Sequence, residues 1–575
     1  MPENKGYKVD PQLVWKDLEQ GRNYKSAERQ YDIIRRNERM YVGDQWKGIN
    51  SKNLHKTTYN FLGQLVDVKV ASVMANLLTI NRRADDLDAD DERIQTAARA
   101  FELADKKNWD RMKMDNMNEQ VLLDSALAGI GCSYWFWDDD IKTGNTFISK
   151  GDIKGELLDS VSLYVSNPNE VDIQKQDWII ISIRKTIKQL KEMAKRNGVP
   201  EDQIEMIKGD ETRTYEAYDK AQNDQDNIKQ NSDQGTLNIR FWKEDGKVFF
   251  AKTSTHVIIK DKTDSELTRY PTAIMTWKPR KRFIYGEAEI THIISNQLVV
   301  NKQESIRHLH AMLMGIPKVI VNETVVNGFT NAVGAVHKAK LPPGSPVSNA
   351  IAYIQPTQMT IDVDKSIEEG IDRTQSLHGV NRNILGAARP ENAQAQLTQI
   401  KQSNIPLESI RRRFHQYIED VALIWLDFYQ HKYKLVRRIA DEEGNRIDFT
   451  GVDFADVYLK TSIDVGADTQ WSEIIQFQAL NDMFDRGIFE GNPLAYVERL
   501  PANLINKQQE LIEEFGGGEE AVDEDQQMMF ELMRMFLMQQ PQEIQQQIQQ
   551  LPPEQQEEAV KALIAQQMGG AQGGV

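Results

Sequence analysis

GEAEITHIISNQLVVNKQESIRHLHAMLM, residues Gly286 to Met314, is the stretch on which the reading of this chain turns. Ile290, Ile293, Ile294, Leu298, Ile306, Leu309, Met312 and Leu313 recur near the amphipathic helical period of about 3.6 residues. A helix of this length spans roughly 43 Å at about 1.5 Å per residue. That exceeds the three to four turns usual in globular proteins, so the spacing predicts a strut rather than an ordinary core helix. Met314-Gly315-Ile316-Pro317 ends it, because glycine and proline together stop a helix.

Beyond the strut, PKVIVNE, GAVHKAKLPPGSPV and AIAYIQP read as short strands and turns within residues 315–356. A second helix is expected from Ile361 to His378, closed by Gly379. A loop rich in Arg, Asn, Gly and Ala follows (VNRNILGAARPENAQAQ), then a helix from about Asn392 to Lys434, kinked where Pro406 removes an amide donor. Two helices thus carry a small β module between their far ends.

Upstream, residues 12–42 predict one helix with Tyr31, Ile34, Met40 and Tyr41 on its apolar side, stopping at Gly43. Tyr59 to Ile80 predicts a buried helix, and residues 90–130 another helical stretch ending at Gly129-Ile-Gly131. Between them, DDLDADDE (Asp85 to Glu92) invites a calcium reading. It fails the EF-hand register, with Asp91 at the glycine position and Ala97 at the final glutamate position, and fits a solvated helix start instead. From Cys132 to Asp261 the period shifts toward two, with Asp245-Gly246 as a hairpin signal. IKQLKEMAKRNGVPEDQIEMIK is helical, and Lys220 to Gly235 reads as a polar loop. Downstream, ADEEGNRIDF and VYLKTSIDVGAD are hairpin-like, helices are expected from Trp471 to Phe515, and Gly516-Gly-Gly518 ends them. The methionines at 528, 529, 533, 535 and 538 fit a self-associating amphipathic helix better than a pliable binding surface. The fold class is α+β and predominantly helical.

The chain has 575 residues, 40% of them hydrophobic and 27% charged, enough for two or three packed regions. Its formal net charge of −16 argues against an extensive basic nucleic-acid surface. Cys132 is the single cysteine, which excludes an intramolecular disulfide and a cysteine zinc cluster, and a reducing cytosol is expected. MPENKGYKVDPQL lacks the apolar core of a secretory leader. No apolar run approaches the roughly 18 residues of a membrane span. There is no G-x-x-x-x-G-K-[ST] phosphate loop and no G-x-S-x-G elbow. His308 and His310, two apart on the strut and joined there by His292, point to different helix faces, which is poor metal geometry. Trp135, Trp137, Trp178, Trp242 and Trp277 read as core residues rather than as stacking platforms for single-stranded bases. No metal, cofactor or catalytic residue is expected.

Four stretches, taken in order, resemble the portal protein of tailed bacteriophages, and the resemblance covers about Ala27 to Gly487. Asn37 to Trp46 (NERMYVGDQW) is similar to the fY-x-G-x-Q-W opening of many portals. The following buried helix with Val66-Asp-Val-Lys69, and Ala126-Leu-Ala-Gly-Ile-Gly-Cys132, are similar in turn. Tyr285-Gly286-Glu287 with Gln297 and Asn301 looks like the family's G-x-x-x-i-x-x-l-x-x-x-Q-x-x-x-N strut. Thr461 to Thr469 (TSIDVGADT) looks like its v-x-v-G segment.

The resemblance implies a ring, usually of twelve subunits, at one capsid vertex, with double-stranded DNA passing through its channel. Residues 1–285 would be wing, 286–314 the first stem helix, 315–356 the clip, 357–379 the second stem helix and 380–392 the tunnel loop. Residues 393–515 would be a long kinked helix and the rest of the wing, and 516–575 the crown. Arg382, Asn383, Arg389 and Asn392 would line the channel. Lys318, Lys338 and Lys340 would dock the motor and tail. Ile290, Ile294, Leu298, Arg411, Arg412 and Arg413 would form the ring interface, leaving the strut's apolar residues to be buried mostly by neighbouring copies. Implied partners are the terminase large subunit, head–tail adaptor and neck proteins, and major capsid and scaffolding proteins, with no membrane. The implied place is the virion's portal vertex after assembly in the host cytoplasm. Twelve copies at −16 carry roughly −190 in total, a field that lets a polyanion slide. The rival classes are a capsid-associated nuclease or protease and a monomeric DNA-binding adaptor.

Overall fold

The computed structural model describes residues 9–48, 55–75, 78–85, 91–142, 150–209, 234–255, 257–315, 319–326, 336–353, 362–380, 393–440 and 446–465, with a few isolated positions besides. Two compact units divide the chain, Met1–Gly466 and Ala467–Val575, and the elements below belong to the first. The loop residues Arg382, Asn383, Arg389 and Asn392, the clip residue Lys318, the helices expected from Trp471 to Phe515, the crown and Asp86 to Asp90 lie outside the described residues.

The predicted helix over 12–42 is two helices, α1 (Pro11–Ala27) and α2 (Gln30–Tyr41). Arg29 separates them in the left-handed region at φ 55°, a conformation no helix interior can hold. The buried helix expected over Tyr59 to Ile80 is α3 (Phe61–Met74), and its tail is instead strand β1 (Leu78–Arg83). Likewise 90–130 divides into α4 (Glu92–Met112) and α5 (Met114–Ala128) at Lys113, again left-handed. Asp91 accepts the Arg93 amide and caps α4, as expected of an acidic helix start.

The period-two region folds into β2 (Ile130–Lys142), β3 (Lys150–Leu158), β4 (Leu163–Val165), β5 (Trp178–Thr186), helices α6 (Ile187–Arg196) and α7 (Glu201–Glu205), then β6 (Gln234–Glu244), β7 (Lys247–Thr253), β8 (Ile258–Asp264) and β9 (Thr272–Thr276). Gln234 and Gly235, expected in a loop, open β6. Two antiparallel sheets result, β3-β2-β9 and β4-β5-β6-β7-β8. The β6–β7 turn at Asp245-Gly246 has φ of 50° and 76°, the paired positive values that a tight hairpin requires.

Strands β10 (Lys278–Arg280) and β11 (Phe283–Glu287) lead into α8 (Glu289–Gly315). Gly286 therefore belongs to a strand and not to the strut. Its φ is 66°, and a Cβ there would lie 2.3 Å from Thr276 Cγ2 and 3.0 Å from the Gly129 carbonyl oxygen. Gly129, at φ 92°, has the reciprocal contact with the Tyr285 oxygen at 2.9 Å. Two glycines thus let the start of the strut press against the α5–β2 junction.

After α8 come β12 (Val319–Val321), β13 (Ile351–Tyr353), α9 (Asp362–Leu377) and α10 (Ala393–Lys432), the last running through Pro406. The hairpin β14 (Arg437–Ala440) and β15 (Arg446–Phe449) follows, and β16 (Lys460–Val465) returns to pair antiparallel with β1. Val421, Trp425, Phe428 and Tyr429 of α10 are buried in the same core as Phe101 and Trp135. Trp135 meets Trp425 edge to face at 5.3 Å, an arrangement worth about 1 kcal/mol beyond area burial. Trp135 and Trp277 are core residues as expected, whereas Trp137, Trp178 and Trp242 are half-buried. Cys132 is buried, and burial pushes its thiol up to about 12, so it is held as a neutral packing group. Among the described residues no helix is long and apolar enough to cross a membrane.

Candidate functional site

Helices α8 and α9 lie side by side, antiparallel, and the contacts between them form a polar ladder. Glu289 meets His378 (2.6 Å), Asn296 meets Thr374 (3.0 Å), Gln303 meets Ser366 (3.1 Å) and Arg307 meets Asp364 (3.3 Å). Along α8 the partners fall at steps of seven, seven and four, the spacing that keeps one helix face toward a neighbour. The far ends are joined through the module predicted from 315–356, where β12 pairs antiparallel with β13 and Val326 bridges Ala339.

At the root of the pair, Glu289 is fully buried. Its carboxylate accepts Lys69 Nζ at 2.7 Å and Trp277 Nε1 at 3.0 Å, and Lys278 Nζ stands 2.9 Å away. Burial by itself would raise this carboxyl; the hydrogen bond from His378 and the charges of Lys69 and Lys278 outweigh it and hold it well below the usual carboxylate range. One side chain therefore ties together α3, α8, the end of α9 and the strand turn at Trp277.

About two and three turns further, Gln297 and Asn301 are buried and clamp the N-terminal region. Gln297 Oε1 accepts the Leu62 amide at 3.1 Å and its Nε2 donates to the Tyr59 carbonyl at 2.5 Å. Asn301 Nδ2 donates to Gln45 Oε1 at 2.5 Å, and Gln45 Nε2 donates to Asn60 Oδ1 at 2.9 Å. The Gln of the GDQW stretch is thus wired to the Gln and Asn of the strut, two of the stretches that carry the resemblance. The sequence signal for this clamp was two amides, four apart, on an otherwise apolar stripe.

The distal half of α8 differs. Ile306 is 42% exposed and Met312 64%, and in the β module Ile320 is 57% exposed. Leu377, near the end of α9, is also exposed.

Several expected interface residues are placed by this geometry within the subunit's own packing. Ile290 and Ile294 are buried by the subunit's own chain, and Leu298 is half-buried against the same core. The strut's first turns sit over α3 and α5, so their apolar side is already covered. Arg411 is buried and donates to the Ser72 carbonyl at 2.9 Å, and Arg413 donates to the Thr276 carbonyl at 3.0 Å. Both serve the subunit's own backbone; Arg412 alone of the triplet is exposed. Lys338 and Lys340 are exposed in the β module, as docking residues would have to be. His292 lies 3.3 Å from Glu287, and no group of three or more His, Cys, Asp or Glu among the described residues is arranged to hold a metal.

A surface cleft of about 520 Å³ opens elsewhere, lined by Asp172, Gln174, Lys243, Thr268, Arg269 and Asp420 among others. Burial raises the Asp420 carboxyl to about 6, with Gln416 and Arg269 opposing the shift. Nothing in the sequence pattern marks it, because its residues come from four separate segments.

Compared with known proteins, the sequence matches no family model and no curated relative.

Proposed function

We propose that this chain is the portal subunit of a tailed bacteriophage, one stave of a ring through which double-stranded DNA is packaged and ejected. The observation that carries the reading is the α8–α9 pair: its root is locked into the body by Glu289, Gln297 and Asn301, while its distal half and β module leave Ile306, Met312 and Ile320 uncovered. A helix held rigid at one end and apolar at the other suits a head-to-tail contact, which closes into a ring when the rotation between copies divides a full turn. In this reading the exposed Lys338 and Lys340 face the terminase large subunit during packaging and adaptor and neck proteins afterwards. Arg382, Asn383, Arg389 and Asn392 approach the DNA backbone, and capsid and scaffolding proteins contact the wing. The net charge of −16 per copy keeps the channel from gripping DNA.

Mass measurement and negative-stain imaging of the purified full chain, with and without scaffolding protein, test the reading. Rings with a central hole support it; a monomer under every condition contradicts it. The cleft at Asp420 favours the rival enzyme reading, and hydrolysis of nucleic acid or protein by the purified chain, lost in Asp420→Asn, would establish that instead.

A further inference from the structure

In a chain that is acidic overall, one patch of the five-stranded sheet gathers cations without gathering their counter-ions. Lys252 on β7 lies directly opposite Lys260 on β8. Both ammonium groups approach the same ring, Lys260 Nζ 4.9 Å and Lys252 Nζ 5.8 Å from the Phe250 centroid. Lys185 of β5 adds its charge to Lys252, and Lys432, at the end of α10, adds its charge to Lys260. Among the described residues neither Lys185, Lys252 nor Lys260 makes an ion pair; Lys432 reaches Glu266 at 3.3 Å. The carboxylate that faces Lys260 is Asp139, which already accepts Trp137 Nε1 at 2.8 Å. Burial together with the neighbouring lysines brings the Lys252 ammonium down to about 8, as expected where like charges are desolvated without a partner.

Like charges held together on rigid strands are a cost to the fold unless something of opposite sign neutralises them. We propose that Lys252 and Lys260, flanked by Lys185 and Lys432, form a binding site for a phosphate oxyanion. Each ammonium offers three donors, and a multiply charged tetrahedral anion has several oxygens to receive them, whereas a single carboxylate satisfies fewer. Phe250, partly buried, supplies an apolar floor beside both ammonium groups. The oxyanion has two possible sources, a free phosphate or the backbone of a nucleic acid. The site stands on its own geometry and does not depend on ring assembly.

The test uses the full chain and the double variant Lys252→Gln/Lys260→Gln. Thermal midpoints are measured in inorganic phosphate and in sodium chloride of matched ionic strength, and affinity for a fluorescent DNA duplex is measured across a salt series. A free-phosphate site predicts a saturable rise in midpoint for the wild type and none for the variant. A nucleic-acid backbone site predicts no response to inorganic phosphate, a duplex affinity about tenfold lower in the variant, and a salt slope smaller by about two. In either case the variant in chloride melts at or above the wild type, because the repulsion is gone. The proposal is overturned if wild type and variant respond alike to both ligands. It is overturned too if the variant melts well below the wild type in chloride, which would mean that the lysines are already neutralised by the protein's own acids.

Discussion

The first and last turns of α8 belong to one helix, yet they are treated differently by the rest of the chain. Ile290, Ile293 and Ile294 are fully or almost fully buried in the body, and Glu289, Gln297 and Asn301 fasten the same turns through named hydrogen bonds. Ile306 and Met312, on the same helix, are 42% and 64% exposed. Amphipathic spacing is continuous along the whole element, so the spacing cannot be what separates them. The difference lies in what the chain places alongside: α3 meets the root through Lys69 and the Leu62 amide, whereas the distal turns meet α9 at Gln303 and Arg307 and the N-terminal segment through the His55–His308 ring contact at 5.8 Å. The root is the part that the subunit stabilises for itself, and in the proposed ring the distal part is the one left for another copy.

Substitutions should separate the two halves. The largest effect is expected from Glu289→Ala, which strands Lys69 in a buried site. Unfolding free energy should fall by about 3–5 kcal/mol, read by denaturant titration, and an unchanged midpoint would show that the root is not locked as described. Asn301→Ala leaves Gln45 Oε1 without its donor and frees the Tyr59 amide, at a cost of about 2–3 kcal/mol. The loss should appear as faster hydrogen exchange across residues 57–63.

A substitution at the Asp420 cleft calibrates the body independently of the helix pair. Burial raises this carboxyl to about 6, above its unfolded value. A raised carboxyl contributes its stability fully below the unfolded pKa and loses it as pH climbs through the folded value. Asp420→Asn should therefore match the wild type near pH 3 to 4 and exceed it at pH 7 by on the order of 2 kcal/mol. Equal stability of the two proteins at pH 7 would place the carboxyl in water. The smallest effect on the folded subunit is expected at the other end of the helix, where Ile306→Asp with Met312→Asp should change its stability by less than about 0.5 kcal/mol.

The elements were largely legible in the sequence because their signals are local: the Asp245-Gly246 turn, the strand alternation, the glycine and proline that end the strut. The breaks at Arg29 and Lys113 were not, since a single non-glycine residue in the left-handed region leaves no mark in a hydrophobic pattern. Strand β1 was read as helix because its partner, β16, lies more than three hundred and seventy residues away, and pairing at that distance overrides local propensity. At the site, exposure of Lys338 and Lys340 followed from their setting among turn residues. Ile290 and Ile294 fall in an expected interface because periodicity reports that a face is buried and not by whom, and Arg411 and Arg413 because a run of three cations suits ion pairs with a neighbour as well as it suits the backbone carbonyls they meet here. Glu289 and the lysines around Phe250 were missed for a related reason: each cluster draws on segments far apart in the chain.

The central claim, that the distal half of the α8–α9 pair is covered by a second copy, is tested most directly by imaging wild-type and Ile306→Asp/Met312→Asp particles side by side. Closed rings from the wild type and folded, dispersed subunits from the variant are the expected result. Rings formed equally well by both, or a wild type that never assembles with or without scaffolding protein, would contradict it.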